Sequence, residues 1–181
     1  SDGNVSWNVS PGGLVAAVEP SLKGRQGVWI GWNGHYQDPS EPSMPPIPET
    51  AEGRDYRIVE VPLDRADVEQ YYDGFSNSAL WPLYHDAIAT PTYHRHQFDA
   101  YRRVNMLFAQ AAARAAAPGA TVWIHDYQLQ LVPAMLLSLR PDLRIGLFLH
   151  IPFPAPDLFL QLPWRRPIVL QIPAREPSHS N

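Results

Sequence analysis

The chain has 181 residues, of which 45% are hydrophobic, no cysteine, and a formal net charge of −4 at pH 7. This length is enough for one domain with a sizeable core, and the lack of cysteine excludes a disulfide framework and a thiolate zinc site. The mild acidity gives no reason to expect nucleic acid or an anionic membrane as a partner, so we expect a small molecule. No apolar run approaches the roughly 20 residues that span a bilayer. The start lacks a basic-then-apolar signal, which favours a cytoplasmic location.

A glycine pair, Gly12 and Gly13, precedes a predicted short helix from Leu14 to Pro20. Glycine allows the backbone to approach a ligand closely, and a helix start aims free N–H groups at an anion. The pair lacks the spacing of a dinucleotide fingerprint or a P-loop. On this motif alone, a helix start without a ligand is the favoured interpretation.

The next segments alternate between predicted strands and polar connections. A strand and turn are predicted over residues 27–34, with Trp32 near the strand end, where an indole either packs a core or forms a platform for a sugar. Residues 35–54 are rich in proline and predict a surface loop. A second strand is predicted over 56–61, and a helix over 64–72 with Asp64 as its N-cap.

The stretch 71–85 combines aromatic residues, Tyr72 and Trp81 among them, with the small polar residues Ser76 and Asn77. Part of it must belong to the core, but rings beside hydrogen-bonding groups also suit a site for a polar ligand, and both interpretations stay open. His94 and His96 lack a third ligand, so we predict a solvated loop there rather than a metal site. A helix is predicted over 98–117, ended by a Pro-Gly pair.

A β-α-β unit is predicted next, with strands over 121–125 and 143–149 and a helix over 128–140. The apolar runs predict strands buried on both faces. The first strand is followed by Asp126 and the second by His150. Because the carboxyl ends of parallel strands line the ligand crevice of an open sheet, these two side chains can face the same pocket.

After a further short helix over 155–162, the sequence changes character at Arg166. It has no helical periodicity, several prolines and a polar end. We therefore predict a domain over 1–165 and a disordered or non-native tail over 166–181.

Several motifs, taken together, resemble the N-terminal half of the trehalose-6-phosphate synthase family over residues 10–165. They are SPGGLVAAVEP, GVWIGWNG, YYDGFSNSALWPLYHD, YRRVNMLFA, VWIHDYQLQLVPAMLLSLRPDLRIGLFLHIPFP and the closing LFLQLPWR. The resemblance implies an α/β fold, a Rossmann-like parallel sheet flanked by helices, as the N-terminal half of a GT-B architecture. The family's first strand and C-terminal domain are not in this sequence, so we expect a fragment that is inactive by itself.

The resemblance also implies a reaction and its site residues. The family transfers glucose from UDP-glucose to glucose 6-phosphate with retention, giving trehalose 6-phosphate and UDP, with UDP-glucose as co-substrate and neither cofactor nor metal. Asp126 and His150 match residues near the reacting sugars and are the catalytic candidates. The implied substrate-binding residues are Gly12 and Gly13 for the donor diphosphate, Tyr72, Trp81 and Asp126 for glucose 6-phosphate, His150 for the transferring sugar, and Trp32, more weakly, beside the acceptor.

The residue types suit this chemistry. A carboxylate at position 126 can orient the attacking hydroxyl, and His150 can stabilise charge that develops on the donor sugar. The resemblance also implies that the departing diphosphate takes the acceptor proton, so neither residue need be a general base. Two alternatives stay open: a non-catalytic sugar-phosphate-binding or regulatory module, and a sister glycosyltransferase with another phosphorylated acceptor. The oligomeric state is also left open, a homo-oligomer included.

Overall fold

The computed structural model describes residues 18, 20, 22, 27–37, 56–85 and 90–169. Gly12 and Gly13, almost all of the predicted helix over 14–20 and most of the predicted loop over 35–54 lie outside the described residues. So does the chain from residue 170 onward. Within the described part, no helix combines the length and the apolar composition that crossing a membrane requires.

Four short strands come first in the element order, and helices then predominate, interrupted by two further strands. The strands are β1 (Val28–Gly31), β2 (Tyr36–Gln37), β3 (Arg57–Glu60), β4 (Leu63–Asp64), β5 (Thr121–His125) and β6 (Arg144–Phe148). The α-helices are α1 (Arg65–Asp67), α2 (Trp81–Tyr84), α3 (Arg95–Ala115), α4 (Val132–Leu139), α5 (Pro156–Phe159) and α6 (Arg165–Val169). A π-helix (Val68–Leu80) joins α1 to α2, and a 3₁₀ turn (Tyr127–Leu129) precedes α4.

The strands form three parallel pairs, β1 with β3, β2 with β4, and β5 with β6. In the last pair Thr121 lies opposite Arg144 and His125 opposite Phe148, with α4 in the crossover. Parallel strand pairs flanked by helices confirm the predicted α/β class. A cavity of about 1390 Å³ is lined by residues of both β1 and β5, among them Trp29 and Trp123.

The core lies between α3, α4 and the π-helix. Tyr101 and Val104 of α3 are fully buried, as are Phe75 of the π-helix and Leu136 of α4. Phe75 and Phe98 both contact the ring of Trp164. Because α3 carries apolar residues at helical spacing, its buried face fixes where the π-helix and the β5–β6 unit sit.

The prediction that β5 and β6 are buried on both faces is wrong. Ile124 is buried in the core, but Trp123 is 53% exposed and Phe148 is 48% exposed. Successive side chains of a strand point to opposite faces, and the described residues cover only one face of this pair. The two aromatic side chains therefore form an uncovered apolar patch on the other face.

Two helices extend into stretches predicted otherwise. The helix predicted over 64–72 begins as expected, with Asp64 Oδ1 accepting a hydrogen bond of 2.7 Å from the N–H of Asp67, but the π-helix and α2 continue it to Tyr84. The predicted loop at 94–96 is also wrong. Helix α3 begins at Arg95, with His94 at its N-cap position. The prediction missed this start because the first turn of the helix is polar, and the apolar spacing begins only at Phe98.

The predicted tail does not begin as an irregular segment. Residues 165–169 form α6, and Ile168 is only 1% exposed. Pro167 lies in the first turn, where its missing N–H is tolerated, so proline there is a poor sign of disorder. The buried side chain of Ile168 attaches this helix to the core. For residues 166–169 the prediction of a disordered segment is therefore wrong. The remainder of the tail stays a prediction.

Candidate functional site

Asp126 and His150 lie at the same edge of the β5–β6 pair. Asp126 directly follows β5, and its N–H donates to Phe148 O at 2.7 Å, which extends the ladder one residue past the strand. His150 lies two residues after the end of β6. Parallel pairing therefore brings both residues to the carboxyl ends of neighbouring strands, the edge at which open α/β sheets bind ligands.

Asp126 has a backbone conformation that aspartate adopts only occasionally. Its φ is 71°, and in the described part of the chain it is the one non-glycine residue with positive φ. Its Oδ1 accepts a hydrogen bond of 3.0 Å from the N–H of Tyr127, whereas Oδ2 accepts none from the described residues. Residues held in sparsely populated conformations concentrate at functional sites. The turn thus presents a half-buried carboxylate with one oxygen free for a ligand.

His125 joins the two predicted residues into one group. Its Nδ1 lies 3.1 Å from Nε2 of His150, and the two ring planes are 22° apart with centroids 5.3 Å apart. Burial lowers the pKa of His125, the neighbouring His150 lowers it further, and Asp126 acts in the opposite direction. Asp126 and His150 are therefore both close enough to act electrostatically on the same imidazole. We call residues 125, 126 and 150 the strand-end cluster.

Tyr127 links the strand-end cluster to the π-helix. Its hydroxyl donates a hydrogen bond of 3.0 Å to Asn77 Oδ1. Burial, then the charge of Asp126 and the nearby phenol of Tyr72, raise the pKa of Tyr127 to about 12. The phenol therefore stays protonated at neutral pH and acts as a donor. Tyr72 and Asn77 of the π-helix thus lie on the side of the molecule that faces Asp126.

Trp32 extends this group to the end of β1. Its ring lies edge-on to Tyr72, with centroids 5.2 Å apart, and its Nε1 donates to His35 O at 2.6 Å. Trp81, by contrast, stacks on His85 with centroids 4.2 Å apart and is 43% exposed. No hydrogen bond or ring contact among the described residues joins Trp81 to the strand-end cluster, although its ring is exposed.

Two buried polar side chains of α3 hold the turn that carries Asp126. The hydroxyl of Tyr101 donates to Tyr127 O at 2.7 Å and accepts from the N–H of Gln130 at 3.1 Å. Asn105 donates to Gln128 O at 3.0 Å and accepts from the N–H of Leu131 at 3.0 Å. These bonds satisfy backbone groups that the turn leaves without helical partners. They make α3 the support of the site.

The structure thus joins four of the predicted site residues, Trp32, Tyr72, Asp126 and His150, through direct or shared neighbours. His125 and Tyr127 were not predicted as site residues. Both flank Asp126 in the sequence His-Asp-Tyr at a strand end, and that position was the available signal. Gly12 and Gly13 lie outside the described residues, and the roles assigned to all seven predicted residues remain predictions.

Parallel strands whose carboxyl ends carry a carboxylate, imidazoles and phenols define the chain as part of a Rossmann-like ligand-binding domain. Comparison with known proteins is more specific. Residues 1–175 match the model of glycosyltransferase family 20. The chain belongs to this family, which confirms the resemblance drawn from its motifs.

The relatives are trehalose-6-phosphate synthases. The protein of that name from Mycolicibacterium gilvum is 58% identical over 168 residues, which are 93% of this chain and 33% of the relative. The one from Mycobacterium tuberculosis strain H37Rv is 55% identical, with 93% of this chain and 34% of the relative covered. The chain therefore spans about a third of the length of the curated relatives it matches.

Solved structures agree with the sequence comparison. An α,α-trehalose-phosphate synthase from Burkholderia xenovorans in complex with glucose-6-phosphate is 36% identical, with a TM-score of 0.78 over 91% of this chain and 36% of that chain. A structure from E. coli bound with UDP-2-fluoro glucose is 33% identical, with a TM-score of 0.78 over 92% of this chain and 36% of that chain. The predicted fold, part of a GT-B architecture, is confirmed.

Proposed function

We propose that this chain is the acceptor-side part of a glycosyltransferase that moves glucose from UDP-glucose to glucose 6-phosphate with retention, giving trehalose 6-phosphate and UDP. The reaction takes UDP-glucose as co-substrate and needs neither cofactor nor metal, and the protein works in the cytoplasm. The observation that carries the proposal is the match of nine-tenths of the chain to a solved synthase in complex with glucose-6-phosphate. The strand-end cluster supplies groups suited to that ligand.

Asp126 orients the acceptor in this proposal. Its Oδ1 is held by the Tyr127 N–H, so the carboxylate cannot rotate freely, and Oδ2 accepts a hydrogen bond from a sugar hydroxyl. A hydrogen bond to a charged group contributes about 1.5–3 kcal/mol. Holding the hydroxyl close to the anomeric carbon of the donor converts binding into reactivity, because positioning removes much of the entropic barrier.

Aromatic residues form the other wall of the proposed acceptor site. Trp32 and Tyr72 pack edge-to-face, and the exposed ring of Trp81 offers a further apolar surface for the sugar. Such rings bury the C–H faces of a pyranose while their N–H and O–H groups remain available as donors. Gly12 and Gly13 are proposed to approach the donor diphosphate.

His150 serves the donor in this proposal. It is exposed beyond its contact with His125, so one edge of its ring is free to meet the transferring glucose. In this proposal the backbone carbonyl of His150 faces the anomeric centre and stabilises the positive charge of an oxocarbenium-like transition state, while the ring hydrogen-bonds an oxygen of the transferring glucose. The departing diphosphate accepts the proton of the attacking hydroxyl, so no side chain of this chain is assigned as base.

In the decisive experiment the complete gene product is incubated with UDP-glucose and glucose 6-phosphate. The proposal predicts stoichiometric release of UDP and a product with two α-configured anomeric protons by NMR, with unchanged rates in excess chelator. The 181-residue chain alone should show no turnover and at most weak binding of glucose 6-phosphate. UDP release with another phosphorylated polyol but not with glucose 6-phosphate would favour the sister transferase. Micromolar binding without turnover by the complete protein would favour the binding module.

A further inference from the structure

The two imidazoles of the strand-end cluster share a single hydrogen bond. Nδ1 of His125 lies 3.1 Å from Nε2 of His150, and the ring planes differ by only 22°. Phe148 lies edge-on to His150, with ring centroids 5.0 Å apart, and tilted against His125, with ring centroids 6.4 Å apart. Two neutral imidazole nitrogens can form such a bond only if one carries the proton and the other offers its lone pair. The pair therefore admits two arrangements.

The surroundings of His125 distinguish between them. Its other nitrogen, Nε2, is buried and has no hydrogen-bond partner among the described residues. If Nε2 carried the proton, a donor would be buried unpaired, which is rarer in proteins than an unsatisfied acceptor. Burial also lowers the pKa of His125, so the ring holds one proton, and that proton belongs on Nδ1. His125 is then the donor.

We propose that His125 is a positioning residue, whose Nδ1–H donates to Nε2 of His150 and so holds His150 in the tautomer that presents Nδ1–H to the ligand. This inference rests on the proposed function for its substrate, a nucleotide sugar or sugar phosphate. The nitrogen that meets the ligand is then a hydrogen-bond donor. It selects an acceptor atom, a hydroxyl or phosphate oxygen, at that point of the ligand.

Two variants of His125 separate the hydrogen bond from the ring. Asparagine places an amide where the imidazole has Nδ1 and keeps a donor for His150, whereas phenylalanine keeps an aromatic ring and removes both nitrogens. The tautomer of His150 is read from its nitrogen chemical shifts in the complete gene product, labelled at histidine. His150 is identified by the signal that is lost in His150→Gln.

The expected spectrum of the parent protein shows His150 protonated on Nδ1, and His125→Asn retains this form. His125→Phe shifts His150 toward the Nε2–H form and lowers kcat/KM about tenfold, the equivalent of one hydrogen bond. In His125→Asn, kcat/KM stays within about threefold of the value of the parent protein. Finding the Nε2–H form in the parent protein, or an unchanged His150 in His125→Phe, would overturn the inference.

The tautomer and the rate answer different questions. If the complete protein transfers no glucose, the proposed function fails, yet the spectrum still decides how His125 and His150 share the proton. If it transfers glucose while the tautomer of His150 is the same in the parent protein and in His125→Phe, only the positioning role fails. Should His125→Phe not fold, the spectra of the parent protein and of His125→Asn still test the inference, because both should show His150 protonated on Nδ1.

Discussion

The hydroxyl of Tyr127 donates to Asn77 Oδ1 at 3.0 Å and so connects the turn after β5 to the π-helix. The two residues are fifty positions apart in the chain. This bond fixes the spacing between Asp126 and Tyr72, which are both assigned to the acceptor. Substitutions that remove this bond therefore test whether it holds the two walls of the site together.

Removing either partner should loosen the site. Asn77→Ala leaves the phenol without its acceptor and should lower the free energy of unfolding by about 1 kcal/mol, with a rise in KM for the acceptor. Tyr127→Phe should have a similar effect. A double-mutant cycle in urea measures the coupling between the two residues. Strictly additive effects would show that the bond contributes nothing to stability.

A larger loss of stability is expected at Asn105. Its side chain donates to Tyr101 O and Gln128 O and accepts from the N–H of Leu131. Asn105→Leu would leave buried backbone groups unpaired, at a cost of about 1–3 kcal/mol for each. Chemical denaturation measures the change, with Gln110→Leu on the exposed side of α3 as the control. Equal effects of the two substitutions would contradict the supporting role of Asn105.

Glycine at position 74 is expected to be required by the π-helix. A Cβ added there would lie 2.9 Å from Gln97 Nε2 and 3.0 Å from the backbone oxygen of Glu69. Gly74→Ala should therefore destabilise the protein by about 1–3 kcal/mol, although alanine is the better helix former. At Gly146 an added Cβ has its nearest contact at 3.9 Å, so Gly146→Ala is the matched control. A more stable Gly74→Ala variant would mean that this segment is an ordinary α-helix.

The pKa of His125 predicts a pH dependence of stability. Burial lowers this pKa in the folded state, so below the ordinary value near 6.5 the unfolded chain binds the proton more readily. The free energy of unfolding should fall as the pH drops from 7.5 to 5, and this part of the fall should disappear in His125→Asn. Urea titrations at a series of pH values measure both. Parallel curves for the two proteins would show that His125 does not contribute.

The elements that were predicted well are those whose pattern reflects a local cause. Strand β5 was predicted with its observed bounds, and the N-cap Asp64 forms the expected bond, because apolar runs and capping residues act within a few positions. The unusual π-helical backbone at 68–80 has no such local signal. The uncovered face of Trp123 could not be predicted either, since exposure depends on which elements pack against a sheet.

The site was predictable to the extent that parallel strands end at a common edge. This rule brought Asp126 and His150 together without any knowledge of side-chain contacts. The contact between His125 and His150 was not predicted, because it depends on the register of the β5–β6 pair, which the sequence of either strand alone does not specify. Tyr101 and Asn105 lie in the helix predicted over 98–117, but only the packing of the folded chain shows that their side chains hold the turn after β5.

The carboxylate of Asp126 is proposed to bind a phosphorylated sugar acceptor, so removing its charge should lower kcat/KM for glucose 6-phosphate in the complete gene product. Asp126→Asn keeps the size of the side chain and tolerates positive φ, but lacks the charge. The control is Asp99→Asn, because the carboxylate of Asp99 pairs with Arg95 on the exposed surface of α3. We expect kcat/KM to fall roughly 10- to 100-fold in Asp126→Asn and to remain unchanged in Asp99→Asn. A kcat/KM of Asp126→Asn equal to that of the parent protein would show that Asp126 does not bind the acceptor.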